Sequence, residues 1–269
     1  MDRRTFFTTT SVATLFGCCG CKTAPLTGRR QMMFYPEGTE VSMGQQSFAD
    51  VVSKEPPSTN SRYQQIVERV GLRIAAVCER NDYQWETRVV ASEEQNAFCL
   101  PGGKIVVYEG ILPICQNEAG LAVVMSHEVA HVLARHGGER MSQTAAVNVA
   151  QTGVGYLLRN KEQVAKDLWM RAYGAGTNYG FLLPYSRKHE LEADHIGVML
   201  MAKAGYDPAE APRFWTRFAS SGNSAKPPEF LSTHPADGRR ASDLEKLLPQ
   251  ALEGYRQATS QVGQGELIV

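Results

Sequence analysis

The chain has 269 residues, enough for one large domain or two small ones. Hydrophobic content of 43% and charged content of 21% are ordinary for a globular protein, and a formal net charge of zero gives no basic surface for nucleic acid. Beyond a short apolar stretch near the start there is no run of about eighteen apolar residues, so no membrane-spanning helix is expected.

The first elements are a targeting segment. Met1-Asp2-Arg3-Arg4 is a positive start, Thr5 to Gly17 is short and apolar, and cysteines follow. Leu15-Phe16-Gly17-Cys18 resembles a bacterial lipobox, which makes Cys18 the lipidated residue, with Cys21 the competing site. Residues 1–21 are therefore expected to be signal and anchor. They place the mature protein in a bacterial cell envelope, facing the periplasm and lipid-anchored to a membrane, the outer membrane first. Residues 22–260 are expected to form one domain and 261–269 a flexible tail. Cys78, Cys99 and Cys115 have no Cys-x-x-Cys spacing, so they are buried thiols or, in an exported protein, partners in a disulfide.

A short helix is predicted near Glu40 to Lys54, and a second over Ser61 to Arg80, with Ser61 as its cap. Trp85 to Ala91, Ala97 to Leu100 and Lys104 to Tyr108 read as strands, the last two joined by the turn Pro101-Gly102-Gly103. Asn117 to Arg135 is apolar nearly all round, as a buried helix is, and Gly137-Gly138 is expected to end or kink it. Further helices are predicted over Met141 to Leu158, Ser186 to Ala204, 209–220 and Asp237 to Leu248, with a Gly- and Tyr-rich flap at 171–183.

The buried helix carries His127-Glu128-Val129-Ala130-His131. Residues i and i+4 share a helical face, so both imidazoles can reach one metal ion, and Glu128 stands beside a metal-bound water. Composition alone would produce this pattern ~0.01 times in such a chain. Burying two imidazoles and a carboxylate is costly unless they are paired or bind metal. A catalytic zinc takes three protein ligands. His136 fails the metzincin spacing and is read as a cation at the helix end. Glu190 is the better third ligand. It forms an i, i+4 pair with Asp194, which suits the far N–H of a ligand histidine, although a solvated acidic face is the plain alternative. Glu192 and His189 fit that solvated face, and His195 a packed or surface position.

These residues resemble a zinc metallopeptidase group, that of the HtpX, Oma-type and CAAX-prenyl proteases, and in particular its exported BepA- and LoiP-like lipoproteins. The matching stretches are Thr27-Gly28-Arg29-Arg30, Asn96-Ala97-Phe98, Pro101-Gly102-Gly103, Asn117-Glu118, Ser186-Arg187 with Glu190 and Ala193-Asp194, Ala204-Gly205-Tyr206-Asp207-Pro208, and Thr233-His234-Pro235 with Arg240. The resemblance implies an α+β fold, mainly helical. It would be a gluzincin (thermolysin-like minimal zincin) with a small antiparallel sheet and one Zn2+ on His127, His131 and Glu190. Glu128 would then be the general base. His234 would be a donor to the substrate carbonyl or, as in some relatives, a group that occupies the zinc and keeps the enzyme latent, with Arg240 nearby. Substrate is expected to extend along Lys104, Ile105, Val106, Val107 and Tyr108, added to the sheet edge. The expected activity is hydrolysis of unfolded or misassembled envelope proteins. The alternative is a latent, chaperone-like binding protein. Oligomeric state is left open.

Overall fold

A three-stranded sheet and the helices packed on it position the site. The structure, a computed structural model, describes residues 21–24, 27–152, 164, 185–221, 230, 234 and 239–268. Cys18 and the flap at 171–183 lie outside the described residues.

Strands β3 (Glu86–Val90), β4 (Ala97–Leu100) and β5 (Lys104–Tyr108) are ordered β3-β5-β4; β1 (Cys21–Thr23) and β2 (Arg30–Met32) form an antiparallel pair. β4 and β5 are antiparallel, joined by a turn in which Gly102 and Gly103 have φ of 93° and 85°. β3 runs parallel to β5, so this sheet is mixed, where an antiparallel one was expected. The reason lies in β5 itself: every residue from Lys104 to Tyr108 is buried, which suits a middle strand. This also corrects the expected substrate strand. The backbone of β5 is flanked on both sides, by β3 and β4, and has no edge to offer. Part of the β3 edge is covered as well, since Ser58 N–H donates to Val89 O at 2.9 Å and Ala91 N–H to Pro56 O at 2.9 Å.

Helix α1 is Glu37–Lys54 and α2 is Ser61–Val77, capped by Asn60 rather than Ser61: the Asn60 side chain accepts from the Arg62 and Tyr63 N–H groups. A short turn, α3 (Leu112–Cys115), leads into α4 (Glu118–Leu133), which is buried from Glu118 to Val132. Ile66, Val70 and Ile74 of α2 join Ile105 and Val107 of β5 and Leu121, Val124 and Met125 of α4 in the main core. Cys78, Cys99 and Cys115 are buried free thiols.

α4 ends sooner than Gly137-Gly138. Arg135 takes a φ of 53°, and α5 (His136–Thr152) starts at once with both glycines in its first turn. Gly138 serves packing, since a Cβ there would lie 2.3 Å from the Glu40 carboxylate. α6 (Arg187–Lys203), α7 (Glu210–Ser221) and α8 (Arg240–Arg256) complete the helices named here. α8 runs through Pro249, beyond the expected end at Leu248, and Ala251 past the proline is fully buried.

The residues after Ser260 are not a loose tail. They turn back onto the start of α4. Glu118 N–H donates to Glu266 O and Ala119 N–H to Gln264 O, both at 3.0 Å, and Ile268 N–H donates to Gln116 O at 2.8 Å. Ile268 is 2% exposed. A helix start has four unpaired N–H groups, and this segment and Asn117 supply their acceptors.

Candidate metal centre

α4 and α6 bring the site together because their backbones can touch. At Gly197 an added Cβ would sit 3.1 Å from the His127 backbone, so glycine sets how closely the two helices pack. α4 then supplies His127 and His131, and α6 supplies Glu190 and Asp194, each pair one turn apart.

His127, His131, Glu190 and His234 are all buried, and each offers one donor atom within 4.8 Å of the others. The Nε2 atoms of His127 and His131 are 3.1 Å apart. Glu190 Oε2 is 3.5 Å from His127 Nε2, and Oε1 is 3.5 Å from His131 Nε2. His234 Nδ1 lies 3.2 Å from His127 Nε2 and 3.1 Å from Glu190 Oε1. Three imidazole nitrogens and a carboxylate facing one point, in a buried space, fit a divalent metal of zinc type. Glu128 stands beside this group. Its Oε1 has no hydrogen-bond partner among the described residues and lies 3.3 Å from His234 Nε2. Burial raises the Glu128 pKa, which makes it a stronger base than a free carboxylate.

The outer faces of these imidazole rings are held as well. His127 Nδ1 is 3.1 Å from Asp194 Oδ1. Arg240 binds both Asp194 oxygens, at 2.8 and 2.6 Å, and puts Nη1 3.0 Å from Glu190 Oε2. Its guanidinium lies 3.4 Å from the centre of the Trp215 ring, so a fully buried cation is matched by two carboxylates and an aromatic face. Burial lowers the His127 pKa, but Asp194 and Glu190 outweigh it and lift the imidazole to about 9. For Glu190 burial acts upward, and His234 and His127 overcome it, so the carboxyl stays ionised. The His131 pKa is pushed well below 6.5, by burial and then by the neighbouring histidines.

Two readings change here. His136 is not a helix-end cation. It is fully buried in the first turn of α5, and burial takes its pKa down to about 4, so it is neutral. Glu192 and His189 are not on a solvated face either: both are buried, at 5% and 3% exposed. Glu192 pairs with Arg29 and His136, and His189 with Glu139. Tyr185, which carried no motif, stacks on His131 with ring centres 3.8 Å apart. The one sequence sign of this second layer was the count of histidines: of six in the chain, five lie in this buried cluster.

The model of peptidase family M48 matches residues 61–248. The chain belongs to peptidase family M48. By that membership it is a metalloendopeptidase. It is 39% identical over 231 residues to the mitochondrial metalloendopeptidase OMA1 of Schizosaccharomyces pombe, covering 84% of this chain and 66% of that one. The same-named protein of Saccharomyces cerevisiae is 31% identical over 275 residues, 92% of this chain and 76% of its own. The beta-barrel assembly-enhancing protease of Escherichia coli K12 is 28% identical over 229 residues, and the chain spans only 47% of its length. Relatives thus include mitochondrial and bacterial proteins. Among the described residues no helix is long and apolar enough to cross a membrane.

Proposed function

We propose that this chain is a zinc-dependent endopeptidase that cuts unfolded or misassembled proteins of a bacterial cell envelope. The observation that carries it is the buried donor group of His127, His131 and Glu190 with Glu128 beside it. In this reading the two histidines and Glu190 hold one zinc ion. When bound, zinc acts as a Lewis acid and brings a water to a pKa of about 7.

The rest is done by the chain. Glu128 takes the proton from the attacking water through its unpaired Oε1, then returns it to the leaving amine. Asp194 accepts the outer N–H of His127 and keeps its Nε2 lone pair turned inward. Arg240 holds Asp194 and Glu190 in register and balances their charge. His234 Nε2, 3.3 Å from Glu128, is the donor for the carbonyl oxygen as charge builds on it. The strand edge beside α4 is β4, with Ala97 to Leu100, and it replaces β5 as the platform for an extended substrate. Such docking reads backbone, which fits unfolded clients of varied sequence. The signal-like start and Cys18 or Cys21 support export and a lipid anchor to an envelope membrane.

A second reading is favoured by one distance. His234 Nδ1, 3.1 Å from Glu190 Oε1, belongs to the donor group itself. In this reading His234 would be a fourth residue holding the metal and would keep the enzyme latent, leaving a chaperone-like client binder. One assay separates the two: zinc analysis and casein cleavage by wild type, Glu128→Gln and His234→Ala. The peptidase reading expects one zinc per chain, with cleavage in Glu128→Gln down by about 10²–10⁴-fold and zinc retained. Unchanged cleavage in Glu128→Gln sinks it. The latent reading expects cleavage to rise in His234→Ala; a fall assigns His234 to catalysis instead.

A further inference from the structure

His127 and His131 are held in different ways at their outer nitrogens. His127 meets a carboxylate directly, through Asp194. His131 Nδ1 meets another imidazole, His136 Nδ1, at 2.9 Å. We propose that His136 is a positioning residue for the metal centre: it accepts the outer N–H of His131 and carries the link on to Glu192, so that both ligand histidines are backed by a carboxylate, one directly and one through a relay. This rests on the reading of His127, His131 and Glu190 as ligands.

Hydrogen-bond bookkeeping fixes the direction. Two facing nitrogens need one proton between them. His131 turns Nε2 toward the donor group, so that atom must keep its lone pair and the proton sits on Nδ1. His136 Nδ1 therefore accepts, and its own proton sits on Nε2. That Nε2 lies 3.0 Å from Glu192 Oε2, an acceptor. Each atom in the line has one role, and none is left over.

The relay is also clamped. Arg29, reaching in from before β2, donates Nε to Glu192 at 2.6 Å and its other nitrogens to Glu139 at 2.9 and 2.6 Å, while the Thr27 hydroxyl donates to Glu192. Glu139 in turn accepts from His189 Nε2 at 3.1 Å. His189 stacks on His136 with ring centres 4.4 Å apart and 23° between planes. A buried carboxylate needs this much pairing to stay charged, so the cluster is too costly to be mere filling. It ties the N-terminal segment, α5 and α6 to one ligand ring.

The test uses the full chain. Zinc affinity is measured by chelator competition, and the visible spectrum is recorded after cobalt substitution, for wild type, His136→Leu, His136→Asn and Glu192→Gln. The expected result is a 10–100-fold weaker zinc constant and shifted cobalt bands in His136→Leu, about the loss seen when outer partners of metal ligands are removed. His136→Asn, whose amide oxygen can take the place of Nδ1, recovers most of the affinity. Glu192→Gln shows a smaller loss of the same kind. Wild-type affinity and spectrum in His136→Leu overturn the proposal, as does a His136→Asn no better than His136→Leu. Should His136→Leu fail to fold, Glu192→Gln decides, and an unchanged constant and spectrum there overturn it. Wild type that binds neither metal sinks the ligand reading along with the relay, whereas binding that no variant disturbs sinks the relay alone.

Discussion

The two ends of α4 are anchored by different chemistry. At its start, the C-terminal segment supplies backbone oxygens from Gln264 and Glu266 and one buried side chain, Ile268. At its other end, His127 and His131 face polar groups held mostly out of water: Asp194, Glu190 and Arg240 on one side, and the neutral His136 with Glu192 and Arg29 behind it on the other. The first anchor is made chiefly of peptide groups, with the buried Glu118 carboxylate paired to Arg69 beside them and no group aimed at the donor cluster, so it works whether or not metal is present. The second is made of groups that are expensive to bury and repay their cost by aiming donor atoms. Stability and metal binding should therefore be separable along one helix.

Ile268→Ala should produce the largest change in stability. It removes a buried side chain from the core and loosens the acceptors of the α4 start, at a cost of about 2–4 kcal/mol. Thermal melting of the metal-free protein reads the loss, and the zinc constant should stay within about twofold of wild type. A zinc constant that weakens in step with stability would break the separation of the two ends.

Acid should act on the other end. Burial holds His136 near 4 instead of 6.5, so the unfolded chain takes up its proton first as pH falls. Glu139 and Glu192 resist protonation down to about 2 instead of 4.5, because their His and Arg partners outweigh burial. Both shifts have one sign: stability present above the unfolded pKa is lost on acidification. His127, raised to about 9, adds stability below 6.5 that goes as pH rises through 9, so it gives no slope in the acid window. Melting of the metal-free protein should thus weaken from pH 6.5 to 4, by about 2–3 kcal/mol, and fall further toward pH 2. The Ile268→Ala curve should run parallel and lower. Melting that is flat from pH 6.5 to 4 would remove the charged anchor from the comparison.

The donor residues were legible because helical spacing is local. His127 and His131 repeat at i, i+4, and so do Glu190 and Asp194; a single polar pattern in a buried helix needs a partner. The second layer was not legible for the same reason. Spacing says that Glu192 lies on another face from Glu190, but not whether that face meets water. Only Arg29, more than 160 residues earlier in the chain, makes it an interior face. The mixed sheet was missed because strand order is not written in strand sequence, although the apolar run Ile105-Val106-Val107 hinted at a middle strand. The C-terminal segment was read as loose because its bonds to Gln116, Glu118 and Ala119 are backbone bonds, which leave no mark on side-chain pattern.

The smallest expected effect sharpens the account of the peptide-group anchor. Arg62 pairs with Glu266 at 3.0 Å, with the two side chains 54% and 47% exposed, and also donates to Leu267 O at 2.6 Å. An exposed pair of this kind contributes about 0–1 kcal/mol and is screened by salt. Arg62→Ala should lower the melting temperature by no more than about 2–4 °C, and by less in 1 M salt. If it costs as much as Ile268→Ala, surface charge rather than peptide groups and a buried isoleucine holds the segment in place. Salt alone should then loosen the start of α4.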